Sequence, residues 1–260
     1  MEFGDCQDNE QNPVLLFQPF ASKQILLPDE VNCMFVKTLL RMCKVNYEVK
    51  ETLNAEDMSP SSTIGKVPFL KCGTILVSEL ETITRFFQGT SPSRHLDVSS
   101  LNDMKVYTSL LTKLFNAELY LCWMDERIFT TYTKVRSGFK RPFPLDWVLT
   151  SRKYKQVSKY LDRFHLTTGE AVFQVDKCCK TLSTRLGYEK YFFRDQATEL
   201  DALVFAHVHT ILSSTPTFSK IADVVKTYPN LVDHSLRIHE EFFSGANTNT
   251  TSLKVVTKLI

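Results

Sequence analysis

Apolar residues follow two rhythms along the chain, and the change between them divides it. Val14-Leu15-Leu16-Phe17 is an apolar run of strand length, ended by Pro19. From Asp29 onward Val31, Met34, Phe35, Thr38, Leu39 and Met42 recur at the i, i+3, i+4 spacing of an amphipathic helix. Pro28 suits the start of that helix, and Asp29 and Glu30 suit the positive end of its dipole. Tyr47-Glu48-Val49-Lys50 alternates like a half-buried strand. Val67–Lys71 and Ile75–Val77 are two further strand-like runs, with Cys72-Gly73 between them as a hairpin signal. Ser78-Glu79 then stands where a cap belongs, ahead of a helix whose apolar side carries Leu80, Ile83 and Phe87.

Strand, helix, strand, hairpin, helix is the thioredoxin-like order, so residues 13–90 are expected to form an α+β domain of that kind. Proline opens a strand only in special geometry, and in such folds the geometry is a cis bond. Val67–Pro68 is the expected place, and Pro68 is read as a structural residue.

Beyond this point only the helical rhythm continues. Residues 91–100 are rich in turn formers and read as a linker. Met104, Tyr107, Leu110, Leu111, Leu114 and Ala117 open a helix expected to run through Trp123 as a buried central element. Another amphipathic helix spans Ala171 to Leu186, with Gly187 as its stop. Thr198-Glu199-Leu200-Asp201 has the spacing of a reciprocal capping motif, which makes Thr198 and Asp201 structural candidates. Tyr228-Pro229 begins the last helix. An all-α domain is thus expected over residues 101–243, with a disordered N-terminus at 1–12 and a flexible tail at 244–260.

Composition narrows the function. Thirty-one basic and 29 acidic side chains leave a net charge of +2, which argues against nucleic acid as the main partner. No apolar run approaches the ~18 residues needed to span a bilayer. Glu2, Asp5, Asp8 and Glu10 make the N-terminus acidic, unlike a secretory signal or an Arg-rich transit peptide. Seven scattered cysteines without a Cys-x-x-Cys pair read as reduced thiols rather than a disulfide framework or a zinc site. His207 and His209, two apart on a helix, make a poor metal pair. No catalytic residue, cofactor or metal ligand is assigned.

One stretch departs from the even charge. Nine basic residues and two acidic ones lie between Lys134 and Arg163, a local net charge of +7 around Arg141-Pro142-Phe143-Pro144-Leu145-Asp146-Trp147. This is either a solvated face or a patch for anionic lipid or an acidic partner. Arg136, Lys140, Arg141, Trp147 and Lys153 are the candidate membrane or partner contacts.

The two-domain order, Val67-Pro68, Glu79 ahead of Ile83, and Thr198-x-x-Asp201 before an apolar helix resemble the glutathione-transferase superfamily. More specifically, Met58-Ser59-Pro60-Ser61, Gly65-Lys66-Val67-Pro68-Phe69, Val77-Ser78-Glu79-Leu80, Ala117–Leu121, Tyr191-Phe192-Phe193 and Thr198–Phe205 are similar to the metaxins. That resemblance covers roughly residues 24 to 243. It implies a peripheral protein on the cytosolic face of the mitochondrial outer membrane, acting in protein import and in β-barrel sorting and assembly. It also implies a metaxin 1-like membrane-anchored partner, an outer-membrane assembly complex and a link to motor adaptor proteins in mitochondrial transport.

Catalysis of the transferase kind needs a thiolate-stabilising side chain after the first strand. Only Ser22 offers a hydroxyl there, and it reads as a turn residue. Catalysis also needs a Glu/Gln-Ser pair at the third helix, where this chain has Glu79-Leu80, and leucine cannot donate a hydrogen bond to a carboxylate. A non-enzymatic binding subunit is therefore expected. The alternatives are a glutathione- or thiol-dependent enzyme and a docking module of a translation complex.

Overall fold

The computed structural model describes residues 13–53, 55–61, 66–214 and 217–244. The expected disordered N-terminus at 1–12 and nearly all of the expected tail at 244–260 lie outside these residues. A four-stranded sheet in the order β2-β1-β3-β4 forms the first layer, from β1 (Val14–Gln18), β2 (Tyr47–Glu51), β3 (Phe69–Cys72) and β4 (Ile75–Ser78). β1 runs parallel to β2 and antiparallel to β3, with Leu16 opposite both Val49 and Leu70. Gly73 turns the β3–β4 hairpin at φ +58, a conformation that costs glycine little.

α1 (Leu27–Met42) covers one face of the sheet and buries Val31, Phe35, Val36, Leu39 and Leu40 against Val14, Leu16, Leu70 and Val77. The turn α2 (Ala55–Met58) and the short α3 (Leu80–Phe86) complete this domain. The half-buried alternation expected of β2 is absent: every residue after Tyr47 is exposed, Val49 included. β2 is the edge strand, and its residues beyond Tyr47 are left uncovered. Val67–Pro68 is a cis peptide.

Two 3₁₀ turns, Gln88–Thr90 and Pro92–His95, connect the domains, and α4 (Val98–Met124) begins three residues before the expected boundary. Asp97 caps it by accepting from the Ser100 amide. Burial within α4 starts at Leu111, so only its second half is central. A helical stretch follows over residues 126–137, with a π turn at Phe129–Thr133. Then come α5 (Leu145–Leu161), α6 (Thr168–Leu186), α7 (Glu199–Ser213), α8 (Ser219–Lys226) and α9 (Pro229–Phe243). A reciprocal capping box also opens α6, between Thr167 and Glu170. It obeys the same spacing rule as Thr198–Asp201 and was legible by it.

α7 belongs to both cores. Leu200, Val204, Val208 and Ile211 pack in the helical domain, whereas Ala202 and Ala206 pack into the core of the sheet domain. The two alanines, four apart on one face, bring α7 against α1 without a bulky side chain between them.

Candidate functional site

Three segments carry the groups that the resemblance assigns to a ligand. The first is the loop after β1. Ser22, the hydroxyl on it, is exposed and makes no hydrogen bond from its side chain among the described residues. The second is the backbone ahead of Pro68. Here the Val67 carbonyl accepts from the buried Asn32 Nδ2 at 3.4 Å, and the Lys66 carbonyl accepts from Ser59 Oγ at 2.6 Å. The third is the start of α3, where Glu79 sits at φ +68 and ψ 131, strained for a residue with a Cβ. Neither Ser78 nor Glu79 caps the helix with its side chain, contrary to the expected cap. Instead Ser61 Oγ donates to Glu79 Oε1 at 2.7 Å, and Leu80 follows. At the second and third segments, then, the polar groups are bonded to the protein's own side chains, whereas Ser22 stays open.

Beside this region a cleft of about 600 Å³ opens between the two domains. Its walls carry Asp29, Glu56 and Asp57 from the sheet domain, Lys66 ahead of the cis bond, and Arg141, Arg152 and Lys153 from the helical domain. Lys153 Nζ reaches Glu56 Oε2 across the cleft at 3.1 Å. Burial, and then the neighbouring Glu56 charge, push the Asp29 carboxyl up to about 7, with Lys153 pulling the other way. Burial works to lower the Lys153 ammonium, but Glu56 and Asp29 outweigh it and hold it above its ordinary value.

The expected contact residues separate into two groups. Arg136 and Lys153 turn inward, which corrects their reading as surface contacts. Arg136 donates to the Ile25 carbonyl at 3.0 Å and stacks over Tyr132, and Lys153 is the cross-cleft ion pair. Arg136 links the helical domain to the loop between β1 and α1, and Lys153 links it to the α2 turn after β2. Arg141 is half-buried on the cleft wall. Lys140 is exposed, and Trp147 is exposed to 61 %.

Thr198 and Asp201 form a buried hub. The Thr198 amide and hydroxyl donate to Asp201 Oδ2 at 2.8 and 2.7 Å. The Phe192 amide donates to Oδ1 at 3.0 Å, and His234 Nε2 lies 2.9 Å from the same oxygen. His207 pairs with the buried Glu118 at 2.7 Å, and His209 stacks on His239, with burial lowering His209 to about 4. Among the described residues no group of three His, Cys, Asp or Glu side chains is placed to hold a metal. Cys33, Cys43, Cys122, Cys178 and Cys179 are free and buried, and burial raises each thiol. Cys72 is disulfide-bonded, so the all-reduced expectation fails at that position.

Residues 31–128 match the family described as glutathione S-transferase N-terminal domain, and residues 175–238 match glutathione S-transferase, C-terminal domain. Metaxin-2 of Mus musculus is 40 % identical over 234 residues, covering 88 % of this chain and 88 % of its own. The chain belongs to the metaxin family. Similarity to metaxin-1 of the same species is lower, 29 % over 154 residues, which cover 54 % of this metaxin and 48 % of that protein. Among solved structures, glutathione S-transferase-I bound with lactoylglutathione superposes with a TM-score of 0.55 at 17 % identity, over 96 % of this metaxin and all of that chain. This likeness establishes the shared fold: a thioredoxin-like α+β domain followed by an all-α domain.

Proposed function

We propose that this metaxin is a non-enzymatic subunit of a complex on the cytosolic face of the mitochondrial outer membrane. It acts there in protein import and in the sorting and assembly of β-barrel proteins, and links to motor adaptors in mitochondrial transport. A metaxin 1-like, membrane-anchored subunit holds it in place. The observation that carries the non-enzymatic part is the start of α3. Glu79 is bonded to Ser61, and Leu80 offers no hydroxyl to a glutathione carboxylate. Among the described residues no helix is long and apolar enough to cross a membrane, in keeping with peripheral attachment through a partner.

The decisive experiment is affinity purification of the full chain from mitochondria, with identification of the chains that come with it. Co-purification of a membrane-anchored metaxin and of assembly components supports the proposal. Their absence, with the chain recovered alone in the soluble fraction, overturns it. The open interdomain cleft favours a second reading, a glutathione- or thiol-dependent enzyme. Micromolar glutathione binding by calorimetry would favour that enzyme over the scaffold.

A further inference from the structure

Among the described residues, the turn Phe143–Pro144 and the first turns of α5 carry the densest exposure of large apolar side chains. Phe143 is 84 % exposed and Trp147 61 %, with Leu145 and Val148 close to half exposed. Leaving such side chains in water is costly, and their clustering marks a contact surface. α5 buries Thr150, Val157 and Leu161 against the domain. On its opposite face helical spacing lines up Leu145, Val148, Lys155 and Lys159, with Arg152 at the edge where this face meets the cleft, all exposed. The stripe is therefore apolar near the tip and cationic along its length.

Arg152, Lys155 and Lys159 make no ion pair or side-chain hydrogen bond among the described residues. The acid nearest the tip, Asp146, is turned to the Trp147 amide, which donates to its Oδ1 at 2.7 Å. Lys140, beside the tip, is exposed as well. Exposed aromatic rings at one end and uncompensated cations along one helix face match a surface that is apolar below and anionic above. A phospholipid headgroup layer has that profile.

We infer that the Phe143–Trp147 tip and the Arg152–Lys155–Lys159 stripe of α5 form a docking surface for an anionic phospholipid membrane, with Phe143 and Trp147 seated among the headgroups. The inference rests on the outer-membrane reading above and adds a direct lipid contact to the anchoring by a partner. It also relocates the basic contact: Arg136 and Lys153 serve the domain interface, and the helix stripe serves the membrane. Each cation near an anionic surface strengthens partitioning about fivefold, within a Debye length of roughly 8 Å.

Flotation of the purified full chain with vesicles tests this, comparing phosphatidylcholine alone with phosphatidylcholine containing about 20 % cardiolipin. The chain is expected to float with the anionic vesicles only, and to be released at high salt. The combined variant R152E/K155E/K159E should lower that partitioning by about 100-fold or more. Phe143→Ala with Trp147→Ala should lower it too. Trp147 emission should shift to the blue on vesicles, and Trp147→Phe should abolish the shift because the other tryptophan, Trp123, is buried. All these positions are exposed, so circular dichroism should show unchanged folding. Equal flotation on both vesicle types, or none on either, overturns the inference. So does a charge-reversed variant that keeps its vesicle binding but loses a co-purifying protein, which would assign the stripe to an acidic protein partner. Lipid binding that fails while the chain still co-purifies with an anchored metaxin removes the lipid contact and leaves the function proposed above standing.

Discussion

Asp29 and Asp201 occupy the first turns of two long helices, α1 and α7, and the protein treats them in opposite ways. Asp201 lies in the helical domain with both oxygens engaged by Thr198, Phe192 and His234. Asp29 faces the interdomain cleft and accepts no hydrogen bond among the described residues, and its carboxyl is pushed up to about 7. A buried carboxylate that serves folding is surrounded by donors, because an unpaired one would cost several kcal/mol. A carboxyl left short of donors at the rim of a cleft is tolerated by holding its proton. The metaxin thus satisfies the buried carboxylate of its helical core with donors and leaves the one at the cleft without them.

The largest test of that contrast is Asp201→Ala. It strands two amides, a hydroxyl and a buried histidine, and should cost about 3–5 kcal/mol. Denaturant unfolding is the measurement, and a loss under about 1 kcal/mol would erase the distinction between the two aspartates.

Asp29→Asn should act in the other direction and depend on pH. The folded-state value lies above the ordinary carboxylate value, so the native state binds more protons than the unfolded one between about pH 4 and 7. Stability contributed by this group is therefore present at low pH and lost as pH rises through 7. The asparagine variant should melt close to the native chain below about pH 4 and a few degrees above it at about pH 8. Equal melting shifts at both values would mean that the carboxyl is not strained.

Leu80→Ser returns a hydroxyl to the start of α3. Removing a half-buried leucine should cost about 1 kcal/mol, and calorimetry should still show no glutathione binding, because Glu79 stays bonded to Ser61. Binding restored by this one change would make Leu80 the whole block. The smallest effect is expected at Arg85→Ala. Its pair with Glu81 spans 2.9 Å but is exposed on both sides, so stability should move by less than about 0.5 kcal/mol.

The helical and strand periods gave away most elements, because burial of one face leaves its imprint in the residues themselves. β1, α1, the β3–β4 hairpin and the Thr198–Asp201 motif could be read in this way. β2 was misjudged because alternation reports a capacity to bury one face, and at the sheet edge nothing covers Val49. The cleft was out of reach for a different reason. Lys153 and Glu56 are 97 positions apart, and no local pattern distinguishes a lysine that crosses a domain boundary from one in solvent. Arg136 was misplaced on the same grounds. The α3 site was legible only in its negative half: Leu80 was visibly not a serine, but the strained backbone of Glu79 and the closing hydroxyl of Ser61 needed coordinates.

Synthesis on the ribosome meets the chain from the other direction. The sheet domain ends near residue 90, yet its core includes Ala202 and Ala206 of α7. At about 5–20 residues per second, the interval between the two is roughly 6–20 s. Throughout it the part of α1 that meets Ala202 and Ala206 lacks that cover, and the nascent sheet domain presents an unfinished apolar face to the cytosol. A chaperone, or a second subunit arriving early, would find its binding surface there, and the arrival of α7 would displace it.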